Sequence, residues 1–394
     1  MRIMICGVPA PGHIMPLLPI ARAFLDRGDE VTIASGENAK EMALSSGLSF
    51  RAVGPKYESW FEALRVRTRG NPGDGLAPER IEGYFVPRLF GEIGMALVLD
   101  DLLALGRELE PELLVFEPYF FAAPLIAALI GARPLLHLIG PVMDRTVLEL
   151  TADAISPMWR EFGLQSPPDA GVYAGTMLNI CPPSLDPATS AMGGVRPMRP
   201  AALPIVSTSP LPVSFAESSR PLVYLTLGTF SNNNLDLFTL VLSALKDEPI
   251  NLIVSVGADN DPSALSPVPE NARVVRYIPQ AELLPHCSGV IHHGGAGTMF
   301  GVLAHGLASL VLPQSADNFK NADLLEAAGA AKVLLPGEVT KDSVRAGLAG
   351  VLDSSAISSR AKLLAQEIAD MPSPNDVAAM LAADSVGQQI ACDS

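Results

Sequence analysis

The sequence is short of cysteine, lysine and aromatic residues and has no long apolar run, and each shortage excludes something. Its four cysteines, Cys6, Cys181, Cys287 and Cys392, stand far apart, with neither a C-x-x-C pair nor metal-ligand spacing. A disulfide-stapled module and a structural metal site are therefore excluded, and reduced thiols in a cytoplasmic protein are expected. Only 7 of the 27 basic residues are lysines, and 42 acidic residues bring the formal net charge to −15. Both halves of the chain are acidic in balance, so neither supplies the excess of cations that a nucleic-acid partner requires. The most apolar stretch, Phe120–Ala132, contains Pro124 and runs straight into Arg133-Pro134. A bilayer span needs about 20 predominantly apolar residues, so no integral membrane segment is expected. Met1–Cys6 enters a strand-like run directly, without the pattern of a leader.

What is present fits two globular α/β domains. The 394 residues are 48% hydrophobic and 18% charged, enough apolar mass for two cores. Arg2–Val8 reads as a strand bounded by Pro9-Ala10-Pro11-Gly12. From His13 onward Ile14, Leu17, Leu18, Ala21 and Leu25 recur at helical spacing until Gly28, and Glu30–Ala34 is the next strand. This βαβ opening implies a parallel sheet covered by helices on both faces. Residues 56–95 read as long Gly- and Pro-containing loops with interspersed aromatics. Leu113–Phe116 and Leu135–Ile139 read as strands around a helix at Phe120–Ile130. Prolines crowd the stretch from about 182 to 220, a linker composition. The rhythm then restarts with strands at Leu222–Leu227, Leu252–Val256, Gly289–His293 and Ser309–Leu312, and a helix at Leu235–Leu245.

His292-His293-Gly294-Gly295-Ala296-Gly297-Thr298 carries the most chemistry. Three glycines at a strand-to-helix turn let backbone N–H groups approach an anion, and the helix that follows aims its positive dipole end there. No Lys-Ser/Thr pair follows, so this is not a nucleoside-triphosphate loop. Taken alone, the turn fits anion binding and close packing equally well. Tyr277-Ile278-Pro279-Gln280 stands before it and Pro313-Gln314-Ser315-Ala316-Asp317-Asn318 after it. Together the three stretches resemble the nucleotide-sugar signature of the family 1 glycosyltransferases of the GT-B fold, bacterial natural-product type. Gly7-x4-Gly12-His13 with Pro16 and Leu17, and Leu227-Gly228-Thr229, are similar to that family's motifs at the start of its two domains.

The resemblance implies two Rossmann-like doubly wound α/β domains facing across a cleft. Residues 1–212 would form the acceptor domain and 213–372 the donor domain, with 373–394 a C-terminal helix or tail free to return to the first. It implies an inverting, metal-independent sugar transfer from a TDP- or UDP-sugar to an apolar natural-product aglycone. No cofactor is implied, because the nucleotide sugar is a co-substrate; a homodimer is compatible with the reading. Carried onto this sequence, Tyr277 stacks on the nucleobase while Ile278 and Gln280 close that element near the ribose. His293, Gly295, Gly297 and Thr298 bind the diphosphate, with Gly228 and Thr229 reaching it from the other turn. Asp317 and Asn318 bind sugar hydroxyls where the family has Asp-Gln; helix capping is the alternative for that pair. His13 is the general base, oriented by Glu117 where Asp is usual. Gly12, Trp60, Phe61, Tyr84, Phe85 and Met143 are the acceptor-side candidates, against plain core packing. A non-catalytic nucleotide-sugar-binding helper and a nucleotide-sugar epimerase on the same fold remain open. A nicotinamide-dependent dehydrogenase fits poorly, since Gly7–Gly12 does not match G-x-G-x-x-G. Asp259-Asn260-Asp261 has the look of a metal-binding pair, but it sits in a turn-forming context and is read as a turn.

Overall fold

The apolar runs pair in parallel to form two sheets in the computed structural model, which describes residues 1–69, 76, 78–203, 219–228, 234–257 and 260–392. The first sheet contains β1 (Arg2–Cys6), β2 (Glu30–Ser35), β3 (Ser49–Ala52), β4 (Leu113–Phe116), β5 (Arg133–His137), β6 (Thr176–Asn179) and β7 (Val195–Pro197). Its order is β3-β2-β1-β4-β5-β6-β7. The second contains β8 (Leu222–Thr226), β9 (Asn251–Ser255), β10 (Ala272–Val275), β11 (Gly289–His292), β12 (Ser309–Val311) and β13 (Ala331–Val333). Its order is β10-β9-β8-β11-β12-β13. Strands covered on both faces are apolar along most of their length, and β8, β9 and β11 are buried throughout, with polar residues at their ends. The side-chain period of two sorts β8 between faces: Leu222 and Tyr224 join one core cluster, Val223 and Leu225 the other.

The strand order reverses beside the first strand of each sheet. β1 lies between β2 and β4, with Cys6 opposite Phe116. β8 lies between β9 and β11, with Thr226 opposite His292. The connections that follow β1 and β4 run in opposite directions, to β2 and to β5, so the loops after these strands splay apart and open a crevice. That switch point is where open α/β sheets place ligands. Both halves thus present a crevice at the carboxyl ends of their first and fourth strands.

Contacts divide the chain into one unit of Met1–Ile180, Ala188–Leu203 and Met371–Ser394 and another of Cys181–Pro187 and Pro204–Asp370. The proline-rich stretch is therefore not linker throughout, because β7 lies inside it and pairs with β6. The helix after β1 is broken into Pro11–Ile14, a 3₁₀ turn at Met15–Leu17 and Leu18–Asp26. Pro16 and Pro19 lack the N–H that a continuous helix needs at those places.

Residues 56–95 are not the long loops the sequence suggests. They contain helices at Tyr57–Thr68 and Pro78–Phe85 and a π-helix at Val86–Gly94. Two of their glycines serve packing: a Cβ on Gly94 would strike the Trp60 ring, and one on Gly91 would press on Thr151 and Ile155. Among the described residues no helix is long and apolar enough to cross a membrane.

Candidate active site

At the first crevice His13 lies in the short helix that follows β1, and Glu117 directly follows β4. Glu117 is fully buried. The Val8 N–H donates to its Oε1 at 3.1 Å and the Tyr119 N–H to its Oε2 at 2.9 Å. Each such charge-assisted bond contributes about 1.5–3 kcal/mol, which offsets much of the cost of removing a carboxylate from water. The longer side chain of Glu, in place of Asp, thus folds back onto the two loops. His13 Nδ1 lies 3.2 Å from Oε2 of Glu117, but obliquely, outside hydrogen-bond alignment. Rings fix the imidazole instead. Tyr119 meets it edge-on with centroids 5.2 Å apart, and Phe90 lies tilted at 5.8 Å. Phe90 and Tyr119 are 5.2 Å apart. The Tyr57 hydroxyl is pushed well above its ordinary range by burial and by the Glu117 charge.

At the second crevice the turn after β11 meets the turn after β8. Gly294 has φ +88° and Gly228 φ +76°, both in the left-handed region that favours glycine. The His293 ring is wedged between two glycines: a Cβ on Gly228 would lie 2.5 Å from Nε2, and one on Gly295 2.8 Å from Cε1. Only glycine leaves room for it. Burial lowers the His293 pKa to about 4, so the ring is neutral at pH 7, and its Nδ1 has no hydrogen-bond partner. Helix Ala296–Ala304 starts at Gly295 without a side-chain cap, so among the described residues no capping side chain takes up its first-turn N–H groups. Gly297 is exposed, with nothing near its Cα to block an approaching ligand.

A buried polar chain supports this turn. Tyr224 Oη and Ser255 Oγ are 2.7 Å apart, the Ser255 hydroxyl donates to Thr226 Oγ1, and the Gly228 N–H donates to that same oxygen. Gln280 Nε2 donates to Thr298 Oγ1 at 3.3 Å.

The structure brings some expected residues together and moves others into the core. Tyr277 is half exposed, as an aromatic awaiting a stacking partner would be, whereas the Ile278 side chain is buried in the core of the second unit. Asp317 precedes helix Asn318–Ala327 but makes no side-chain cap. Asn318 is buried, and its Oδ1 accepts from the N–H groups of Gln314 and Ser315 while Nδ2 donates to Asp317. It shapes the loop rather than facing outward. Asn321, which sequence reasoning missed, donates to the Gly294 carbonyl and to Asp317 Oδ2, tying the loops after β11 and β12 together. Its only sequence signal is its place one helical turn after Asp317.

On the acceptor side Trp60 and Met143 are buried core residues. Phe61 packs edge-on against Tyr57, and Tyr84 against Phe85. Phe90 and Tyr119, not those six, are the aromatics on His13. Gly12 is exposed and open. Thr229 and Asp259 lie outside the described residues. Asn260 and Asp261 bond backbone groups, Val256 O and Ser263 N–H, as turn residues do. His292 faces the core, its Nδ1 accepting from the Gly294 N–H, and burial with the neighbouring His293 lowers its pKa to about 3.

A family model described as "Erythromycin biosynthesis protein CIII-like, C-terminal domain" matches residues 239–383. The chain is 30% identical to the elloramycin glycosyltransferase ElmGT of Streptomyces olivaceus over 97% of each chain. It is 29% identical to the L-demethylnoviosyl transferase of Streptomyces niveus over 98% of each. Among solved structures it is similar to the Streptomyces sp. SF2575 glycosyltransferase SsfS6 complexed with thymidine diphosphate. That match has a TM-score of 0.79 and 26% identity, and it covers 97% of this chain and 99% of that one.

Proposed function

The chain belongs to the family 1 glycosyltransferases of the GT-B fold, natural-product type, and from that premise we propose that it moves a sugar from a thymidine- or uridine-diphosphate donor to an apolar aglycone with inversion. The relatives' names, an elloramycin glycosyltransferase and an L-demethylnoviosyl transferase, support a natural-product acceptor, and the thymidine diphosphate in the solved relative supports that nucleotide. His13 takes the proton of the acceptor hydroxyl as its oxygen attacks the anomeric carbon and the diphosphate leaves. Glu117 stabilises the imidazolium that forms. The N–H groups of Ala296, Gly297 and Thr298, with His293, take up the charge that develops on the leaving diphosphate. No metal or cofactor enters this scheme, since the helix start already supplies the countercharge.

The observation that carries the reading is the pairing of His13 with a buried, doubly hydrogen-bonded Glu117 at one switch point. The decisive experiment is His13→Ala. Turnover on an alcohol acceptor is expected to fall roughly 10²–10⁴-fold with unchanged thymidine diphosphate affinity. An already ionised phenol acceptor should lose far less. Activity within a few-fold of wild type would remove His13 from the mechanism. Donor binding without turnover on any acceptor would favour a helper protein, and conversion of the donor sugar without an acceptor an epimerase.

A further inference from the structure

The strongest unexplained feature near the proposed base is how little the carboxylate itself does to aim it. Glu117 Oε2 is 3.2 Å from His13 Nδ1 but out of line, and both carboxylate oxygens are already claimed by backbone N–H groups. An imidazole held only by charge can turn in its plane, and a base that turns spends less time aimed at the hydroxyl. The restraint on rotation comes from elsewhere. Tyr119 stands edge-on to the imidazole at an interplanar angle of 84°, and Phe90 leans on the other ring contact at 36°. Edge-to-face packing of this kind prefers one orientation and contributes about 0.5–1.5 kcal/mol beyond area burial. Phe90 is itself delivered by the π-helix, a form that appears mostly where a side chain must be placed out of α register.

We propose that Tyr119 is the positioning residue of the base, its N–H fixing the Glu117 carboxylate and its ring fixing the plane of His13. One residue thereby sets both partners of the dyad. The ring contacts to His13 and Phe90 carry this restraint, and phenylalanine keeps them. The inference rests on His13 acting as the base.

The test compares Tyr119→Leu with Tyr119→Phe in the full chain and repeats both in a His13→Ala background. The leucine variant is expected to lose roughly 10- to 100-fold in kcat on an alcohol acceptor, the usual cost of a misaimed catalytic group. On an ionised phenol acceptor it should lose under about threefold, the ionised acceptor having no proton to give. Thymidine diphosphate affinity should not change, and the phenylalanine variant should stay within about threefold of wild type. In the His13→Ala background the leucine substitution should cost nothing further, since coupled residues are not additive. Equal losses on both acceptors, equal damage by leucine and phenylalanine, or an additive double mutant would each overturn the inference. Should the leucine variant fail to fold, Tyr119→Met carries the same test, because it too removes the ring and keeps the backbone N–H on Glu117. A wild-type rate for His13→Ala alone would instead refute the base reading beneath it.

Discussion

Binding of the donor should draw a proton onto His293, and the structure gives the size of the effect. In the free protein burial holds this imidazole at a pKa of about 4, neutral at pH 7, with Nδ1 unpartnered and Nε2 between Gly228 and Gly295. A diphosphate seated on the helix start would bring negative charge against the ring. One such charge at about 4 Å, with an effective dielectric near 20, stabilises the imidazolium by about 4 kcal/mol. That corresponds to about 3 pK units, which places the bound pKa near 7. The sign follows from the order of the two values. The complex binds more protons than the free protein between about pH 7 and pH 4, so affinity rises as pH falls through that window and levels off below it. The assay is calorimetry with a thymidine-diphosphate sugar, a diester whose own ionisations lie outside the range, in buffers of different ionisation enthalpy. Proton uptake approaching one per donor near pH 5.5, abolished in His293→Gln, is expected. An affinity flat from pH 5 to 8 with no proton exchanged would refute the placement of the diphosphate against His293.

The same geometry makes Gly228→Ala a binding mutation. The added Cβ must displace the His293 ring and carries a left-handed φ that costs about 1–2 kcal/mol, so donor affinity should fall about as much as in His293→Ala, and the double mutant should be no worse than either. Additive losses would separate the two residues. His137, His292 and His293 are buried with pKa values lowered from 6.5 to about 4, 3 and 4, so the unfolded chain binds protons that the folded one refuses. Stability should therefore fall as pH drops from about 6.5 toward 4, by up to about 1.4 kcal/mol per pH unit for each histidine. Replacing the fully buried His137 by Phe should flatten the slope of urea midpoint against pH by one proton; an unchanged slope would exclude it as a source. Activity should persist in EDTA and in Asp261→Ala, whose carboxylate caps the Pro262–Leu265 turn through the Ser263 N–H. Loss in EDTA restored by Mg²⁺ would overturn the metal-free scheme.

The parts of this protein that were legible in its sequence are those where backbone geometry demands a residue type. Gly228 and Gly294 announce turns that only glycine makes easily, and the His next to such a turn is confined by it. His13 and Glu117 stand out through their resemblance to family motifs, Gly7-x4-Gly12-His13 and a carboxylate after a later strand, and the structure puts Glu117 directly after β4 and His13 in the short helix beyond β1. The stretch from Tyr57 to Gly94 was misread because its glycines and prolines look like loop formers, whereas Gly91 and Gly94 are there to let helices approach Thr151 and Trp60. That distinction depends on a partner distant in sequence. Trp60 and Met143 are read as acceptor candidates for being large and apolar, which is also the description of a core residue, and Ile278 through its place in the Tyr277–Gln280 motif; all three side chains are buried. The contacts of Asn318 and Asn321 are not legible in the sequence, because their amides bond loop backbones that come together only after folding.

The two switch points hold opposite electrostatics on one topology. After β1 and β4 the backbone N–H groups of Val8 and Tyr119 are spent on Glu117, so the crevice holds a fixed negative charge beside an imidazole. After β8 and β11, among the described residues, no side chain caps the first-turn N–H groups of Ala296–Ala304, and the His293 Nδ1 there has no hydrogen-bond partner. A chain with a net charge of −15 gains nothing from long-range attraction of a diphosphate. Recognition must come at short range, from oriented N–H groups that add no net charge. Under the proposed function, an anionic donor is disfavoured beside Glu117 and taken up at the uncapped helix start, and His13 serves the neutral hydroxyl.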